Sequence, residues 1–318
     1  MCIRWRMQTC KSPLRVLIKA YEVARRCLPQ RLSEHARHDF DLWQLFACIV
    51  LREHQKKSYR GIEAVLRDAS EWCSAIGMNR PPDHSTLCRA FKALLRLDDA
   101  FDRLLDLMAL ELNDTGLLGR RLSIDSTHME RWHSSKYYDR RVAESHGRER
   151  QSLDGTGRSL ANKAMPKLGV GVDTRSHLIL SLITRTGMGS DAPDFDSLLF
   201  DAWRRGRVRV VVADAGYDSE ANHVLARHDM GVRSIIPARI GRPTQKEPSG
   251  YWRRQMKRRF KRKADKKDYG QRWQSETVNS MVKRNLGSSL RARTPEGREM
   301  ELKLRAITHN IMLLANLK

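Results

Sequence analysis

Two short runs in the second half of the chain most narrowly limit what it can fold into: Arg121-Leu-Ser-Ile-Asp125 and Val208-Arg-Val-Val-Val-Ala213-Asp214. The first alternates apolar and polar positions, which predicts a strand over 122–124. The second is a nearly continuous β-branched run of the kind that fills a buried strand. Each empties into an aspartate followed by small residues. A helical stripe precedes the second run (Phe195, Leu198, Leu199, Ala202, Trp203), and a helix over 219–230 and a strand Val232–Ile236 follow it, completing a β-α-β unit. The second half is therefore expected to be α/β, with carboxylates delivered where open α/β sheets place their chemistry. Taken singly, Asp125 also reads as an Asx-turn residue, and Asp214 as a turn aspartate before Gly216.

The rest of this half fits around those runs. Lys167–Asp173 and His177–Thr184 predict a hairpin across Asp173-Thr-Arg-Ser. Residues 128–166 are polar and unpatterned, a length that is uncommon unless functional. Residues 239–267 are mostly Arg and Lys, including Arg253, Arg254, Arg258 and Arg259, with Trp252 and Phe260 among them. Such a block repels itself, but beside phosphates it would release counterions, and its aromatics could stack on bases. After Pro295, Met300, Leu304, Ile307, Ile311 and Leu314 predict a closing amphipathic helix that packs back on the sheet.

The first 118 residues speak only the helical period. Leu14, Leu17, Tyr21, Ala24 and Leu28 mark one helix; Trp43, Phe46, Ala47, Val50 and Leu51 another; Phe101, Leu104, Leu105, Met108 and Leu112 a last one. Between them, 58–74 and 85–96 form a helical pair. It reads either as ordinary packing or as a helix-turn-helix in which His84, Thr86, Arg89 and Lys92 face a DNA groove. The expected organisation is an all-α domain over 1–118 and an α/β domain over 119–318 with a basic insertion at about 239–267.

Composition narrows the partner. Lys and Arg number 60 against 37 Asp and Glu, a formal charge of +23 in 318 residues, which points to a polyanion. No apolar run reaches the roughly 18 residues that span a bilayer, and the N-terminus lacks an apolar signal core. The six cysteines never form C-x-x-C, so neither a zinc site nor a disulfide framework is supported. A cytoplasmic, nucleic-acid-binding protein with no membrane association is expected.

The last feature is Tyr269-Gly-Gln-Arg272-Trp-Gln-Ser-Glu276, continuing to Lys283. On one helix capped by Asp268, with Gln271 completing a capping box, Tyr269, Arg272 and Lys283 fall within roughly 40° of Glu276. Val278, Met281 and Val282 then lie on the far side. For Glu276 to face a site, that helix is expected at the edge of the sheet with Trp273 or Leu286 turned inward. Charges spaced simply to solvate a surface helix would give the same pattern.

Asp125, Asp214 and Glu276, on strand, strand and helix in that order, resemble the acidic triad of DDE transposases. Tyr269, Arg272, Glu276 and Lys283 match the Y-x2-R-x3-E-x6-K signature of the insertion-sequence group, and Ile124-Asp125-Ser-Thr and Ala213-Asp214-Ala-Gly-Tyr resemble its two aspartate blocks. The resemblance covers about residues 120–318. It implies an RNase H-like core, a mixed sheet flanked by helices, that holds two divalent metal ions, Mg²⁺ with Mn²⁺ as a substitute. Asp125 would bridge them while Asp214 and Glu276 take one each. It also implies cleavage and joining of double-stranded DNA at the ends of the protein's own element and into a target, by a homodimer on DNA. Arg272 and Lys283 would hold phosphates, and Tyr269 the strand end. A DNA-binding regulator without catalysis and an RNase H-like nuclease without strand transfer remain as alternatives. Asp173, Asp191, Asp194 and Asp218 are rival carboxylates, Asp218 foremost.

Overall fold

Helices come first in the chain, and four of the first six are started by a side chain that satisfies exposed amides. The computed structural model describes residues 8–31, 39–97, 99–131, 165–187, 189–238, 247–260 and 262–317. Helix α1 (Pro13–Cys27) is capped by Ser12, and α2 (Leu42–His54) by a capping box of Asp41 and Gln44. Helix α3 (Tyr59–Asp68) is capped by Ser58. The helix expected over 58–74 breaks at Ala69, and α4 (Ser70–Ala75) restarts beyond it. Helices α5 (His84–Leu94) and α6 (Ala100–Asp114) complete the series.

The α/β part is built on a five-stranded sheet. Its strands are β1 (Arg121–His128), β3 (Pro166–Asp173), β4 (Ile179–Thr186), β5 (Val210–Ala213) and β6 (Arg233–Ile235), in the order β4-β3-β1-β5-β6. The first three strands of that order are antiparallel neighbours, whereas β1, β5 and β6 run parallel. With helices on its faces, this mixed sheet is RNase H-like. A short β2 (Glu130–Arg131) pairs with β7 (Ser289–Leu290) as a separate ribbon.

Helix α7 (Phe195–Arg205) lies close against one face of the sheet. A Cβ on Gly171 would come within 2.3 Å of Ser181 Oγ, the hydroxyl that donates to the Leu198 carbonyl of this helix at 2.7 Å, so a larger residue there would displace that tie. The stretch expected as a helix over 219–230 is α8 (Glu220–Val224) running into a π-helical turn over Leu225–Asp229.

The basic block is ordered by packing. Helices α9 (Tyr251–Arg259) and α10 (Lys263–Tyr269) bring Met256, Phe260 and Tyr269 against Val210, Val212 and Ile235 of β5 and β6. Phe260 thus meets Tyr269 edge-on at 4.8 Å, contributing apolar contact where the sequence suggested a base-stacking ring. Residues 239–246 of the block lie outside the described residues, as do 132–164 of the unpatterned segment.

Helix α11 (Trp273–Leu286) carries Glu276, and α12 (Pro295–Leu314) closes the chain against β4, α1, α2 and α6. Asn310 of α12 donates to the Ile179 carbonyl (2.8 Å) and accepts from the Ile179 amide (2.9 Å), pairing the exposed edge of β4 as a neighbouring strand would. One hydrophobic cluster runs from Cys10 through the N-terminal helices and the sheet to Ala315. None of the described helices is long and apolar enough to cross a membrane. Cys10, Cys27, Cys48, Cys73 and Cys88 are free thiols.

Candidate active site

Register brings the two aspartates together. Strands β1 and β5 run parallel with Ile124 opposite Ala213, so the next residues, Asp125 and Asp214, emerge side by side. Asp214 leaves β5 at that point, and its Oδ1 accepts from the Gly216 amide (2.8 Å) to cap the 3₁₀ turn Ala215–Tyr217. Strand β1 does not stop at its aspartate, as expected from the sequence, but continues to His128 because β3 pairs with it along its whole length. Asp125 thus sits inside a strand, next to the end of its parallel neighbour.

The helix bearing Glu276 begins later than its sequence pattern suggested. Tyr269 ends α10, Gly270–Arg272 turn, and α11 starts at Trp273. Asp268 does not cap it. That carboxylate is drawn instead to Arg121 of β1 and Arg233 of β6, fastening α10 to the sheet. The charged stripe survives the break: Arg272 pairs with Glu276 and lies 5.9 Å from the centre of the Tyr269 ring. Lys283, one helical face further along α11, is half-buried and makes no ion pair among the described residues.

The expected position of α11 at the sheet edge is also corrected. It lies across β1 and β3, and its contact with β1 is made by small polar residues. Ser123 Oγ donates to the Arg272 carbonyl (3.0 Å) and lies 2.8 Å from Ser275 Oγ. One turn on, Asn279 Nδ2 donates to Asp125 Oδ2 at 3.0 Å. Val278, Val282 and Leu286 enter the main core, which α11 shares with α2 and α12. Trp273 remains 46% exposed, so Leu286, not the indole, supplies the inward contact. Small polar residues against the strand and apolar ones against the helices let the helix be buried while Glu276 stays accessible.

Asn279 is the residue that sequence reading missed. Its only signal was a polar residue four positions after Ser275, on the face where a helix resting on a strand needs short side chains.

Electrostatically the site is an acid excess. Burial, then the nearby Asp214 and Glu276 carboxylates, push the Asp125 carboxyl up to about 6, against the pull of the Ser126 amide and Arg272. The Tyr269 hydroxyl is likewise raised by burial, and Asp214 and Glu276 add to this while Arg272 opposes it. Among the described residues no three Asp, Glu, His or Cys side chains are grouped closely enough to hold a metal ion in this conformation, and Glu276 is engaged with Arg272. The donor set still fits a hard divalent cation. All three side chains offer oxygen, and Asp125 is pushed toward its protonated form by burial first and then by the Asp214 and Glu276 carboxylates, whose charge such a cation would neutralise.

The rival carboxylates are committed elsewhere. Asp218 is fully buried and bound by Arg253 through Nε (3.0 Å) and NH2 (2.7 Å). This removes Asp218 as a rival and also places Arg253 in an internal ion pair. Asp173 closes the β3–β4 turn by accepting from the Ser176 and Gly119 amides, and Asp194 is held by Lys167 and Arg185. Asp191 stays beside the site.

Of the other basic candidates, Arg254 and Arg259 are exposed on α9, and Arg258 reaches Glu247 (3.0 Å). Arg89 is far away in sequence, on the exposed side of α5 with Lys92 and Arg96. Asp83 caps α5 through the Thr86 amide (2.9 Å), while His84 is tied back to Glu63 of α3 by both its amide and its ring. The outward face of α5 therefore carries Arg89 and Lys92, with Arg96 just past its end, and His84 is turned to Glu63.

The family model described as "Transposase DDE domain" matches residues 117–311. No curated protein matches the chain. Among solved structures, the "Mos1 transposase paired-end complex with left transposon end" aligns over 80% of this chain and 82% of that one, at 9% identity and a TM-score of 0.23. So low a score adds nothing to the fold, which rests on the sheet order and register.

Proposed function

The chain belongs to the transposase DDE-domain family, and on that premise we propose that it binds the ends of its own mobile element and cuts and joins DNA there with divalent metal. The observation that carries this reading is the β1–β5 register, which sets Asp125 beside Asp214 under a helix that presents Glu276.

Asp125, Asp214 and Glu276 would hold two Mg²⁺ ions, with Mn²⁺ able to substitute. Bound there, the ions supply charge stabilisation for the attacking and leaving oxygens of a phosphodiester and activate a water or 3′-hydroxyl. The chain's own groups do the rest. Asn279 holds the Asp125 carboxylate against α11, leaving its other oxygen for the site. Arg272 bridges the two functions, because the guanidinium that now neutralises Glu276 is free to take a phosphate once that carboxylate is otherwise bound. Lys283 adds a point charge, and Tyr269 steadies Arg272 from the other side. Arg254, Arg258 and Arg259 on α9 and Arg89 on α5 extend the path along the DNA backbone. Arg253 acts by holding α9 to Asp218. Function as a homodimer on paired ends, in the cytoplasm, completes the proposal.

The test is cleavage of DNA carrying the sequences that flank this reading frame, in Mg²⁺. Asp125→Ala, Asp214→Ala and Glu276→Ala are each expected to abolish end cleavage while a gel-shift complex persists. Cleavage surviving any of them removes that residue from the triad. Shifted but never nicked ends in the native protein would favour a regulator, and nicking without joining a nuclease.

A further inference from the structure

Beneath the two aspartates, on the other face of the sheet, lies a group of charged and polar side chains that the triad does not use. Ser126, the residue after Asp125, points away from α11 and donates to Asp191 Oδ1 at 2.9 Å. The same oxygen is 2.5 Å from Lys167 Nζ, and this lysine is buried to 2% exposure. Lys167 also approaches Asp194 Oδ2 at 3.4 Å, and Asp194 is closed off by Arg185. A buried lysine is costly unless paired. Here its partners fix the loop that enters α7.

That loop is tied in turn to the turn carrying Asp214. Buried Asn222, on α8, donates through Nδ2 both to the Ala192 carbonyl (3.1 Å) and to the Tyr217 carbonyl (2.8 Å). A Cβ placed on Gly216 would be 3.2 Å from Asp191 Oδ2 and 2.9 Å from Asp214 Oδ1, so the two carboxylates flank the same glycine. The Tyr217 hydroxyl is buried beside Ser126, with Asp191, Asp125 and Asp214 as charged neighbours. Asp191 thus touches the residue following one triad aspartate and the turn opened by the other. Its Oδ1 is held by Ser126 and Lys167, and its Oδ2 lies against Gly216 in the turn that Asp214 caps.

We infer that Asp191, fixed by buried Lys167, is a positioning residue that sets the separation of Asp125 and Asp214 for metal. The inference rests on the reading of those aspartates as metal ligands. Groups behind the ligands of a metal site commonly govern its affinity by about 10–100-fold. Asp191→Asn keeps the shape of the side chain and its acceptor for Ser126, but removes the charge that holds Lys167. Ser126→Ala removes the hydroxyl that donates to Asp191 and neighbours the Tyr217 hydroxyl, at a half-buried position of the strand.

The experiment is a Mn²⁺ titration of the full-length protein followed by electron paramagnetic resonance, with a melting curve for each variant. The wild type is expected to bind Mn²⁺ and Asp125→Asn to lose that binding. Asp191→Asn should weaken it by about 10–100-fold, and Ser126→Ala by a smaller factor in the same direction. End cleavage lost in Asp191→Asn should return at high Mn²⁺, which a merely destabilised protein would not show. If Asp191→Asn and Ser126→Ala titrate like the wild type, the inference is overturned while the metal site stands. If Asp191→Asn melts early, Ser126→Ala alone decides. Wild-type protein whose Mn²⁺ binding is indifferent to Asp125→Asn overturns both the site and the inference.

Discussion

Two groups of charged side chains in the protein are balanced differently. At the junction of α2, α12 and the loop after α11, Arg52, Glu53, Glu301 and Arg305 interlock. Arg305 reaches Glu301 at 2.7 Å and Glu53 at 3.6 Å, and Arg52 pairs with Glu53. Arg305 also donates to the carbonyls of Gly287 (2.7 Å) and Ser289 (2.6 Å), just beyond the end of α11. Two positive groups meet two negative ones, and backbone groups take up further hydrogen-bonding capacity. At the sheet end, Asp125, Asp214 and Glu276 face one another with Arg272 as the described counter-charge. The first arrangement is complete as it stands and anchors the far end of the helix whose first turn bears Glu276. The second carries more acid than its one described counter-charge balances.

The sharpest way to break this contrast is to remove one acid from each. Glu301→Ala takes the 2.7 Å partner from buried Arg305 and the shared acceptor from the Arg291 and Ala292 amides, and is expected to cost about 3–5 kcal/mol in urea unfolding. Asp125→Asn should act in the opposite direction in metal-free buffer at pH 7, stabilising by about 2 kcal/mol. Equal losses from both would put Asp125 in the structural class.

The pH dependence follows from the same shift. The folded-state carboxyl of Asp125 is raised to about 6 from 3.8, so the native state holds its proton more tightly than the unfolded chain does. Below about pH 4 both states are protonated and the group contributes nothing. As pH rises from about 4 to 6 the metal-free protein loses stability, and the loss is complete above 6. Asp125→Asn should flatten that part of the curve, whereas Glu301→Ala should leave it in place. Added Mg²⁺ at about 100 times its dissociation constant should restore about 2.7 kcal/mol to the wild type and nothing to Asp125→Asn, read as a rise in melting temperature. The smallest effect belongs to Arg272→Ala. Its partly exposed pair with Glu276 is worth at most about 0.5 kcal/mol to the fold, yet its loss should lower the salt slope of DNA binding by about one.

How much of this was legible in the sequence depends on what sets each feature. Strands β1 and β5 and the order of the three acidic residues were readable because a buried parallel strand needs a β-branched run and its end needs a turn. The true end of β1 was not, since pairing with β3 carries it past Asp125. The stripe from Tyr269 to Lys283 was read as one helix because its angular spacing fits one. The chain breaks it because Asp265 and Asp268 are claimed by Arg233 and Arg121, fixing α10 to the sheet in a direction α11 does not share. The basic block seemed too charged to order itself; Met256, Phe260 and Tyr269, three apolar positions among many cations, were enough. Asn279 was least visible, and Asp191 was read only as a rival ligand, since nothing local marks a polar residue whose partner lies on another element.

The central claim is that the aspartates of β1 and β5 and the glutamate of α11 form one metal-dependent site. Diffraction from crystals grown with Mn²⁺, collected at the manganese edge, tests it most directly. The account predicts anomalous density in contact with both Asp125 and Asp214, with Glu276 turned from Arg272 toward it. Manganese bound elsewhere, with Glu276 still on Arg272, would contradict it.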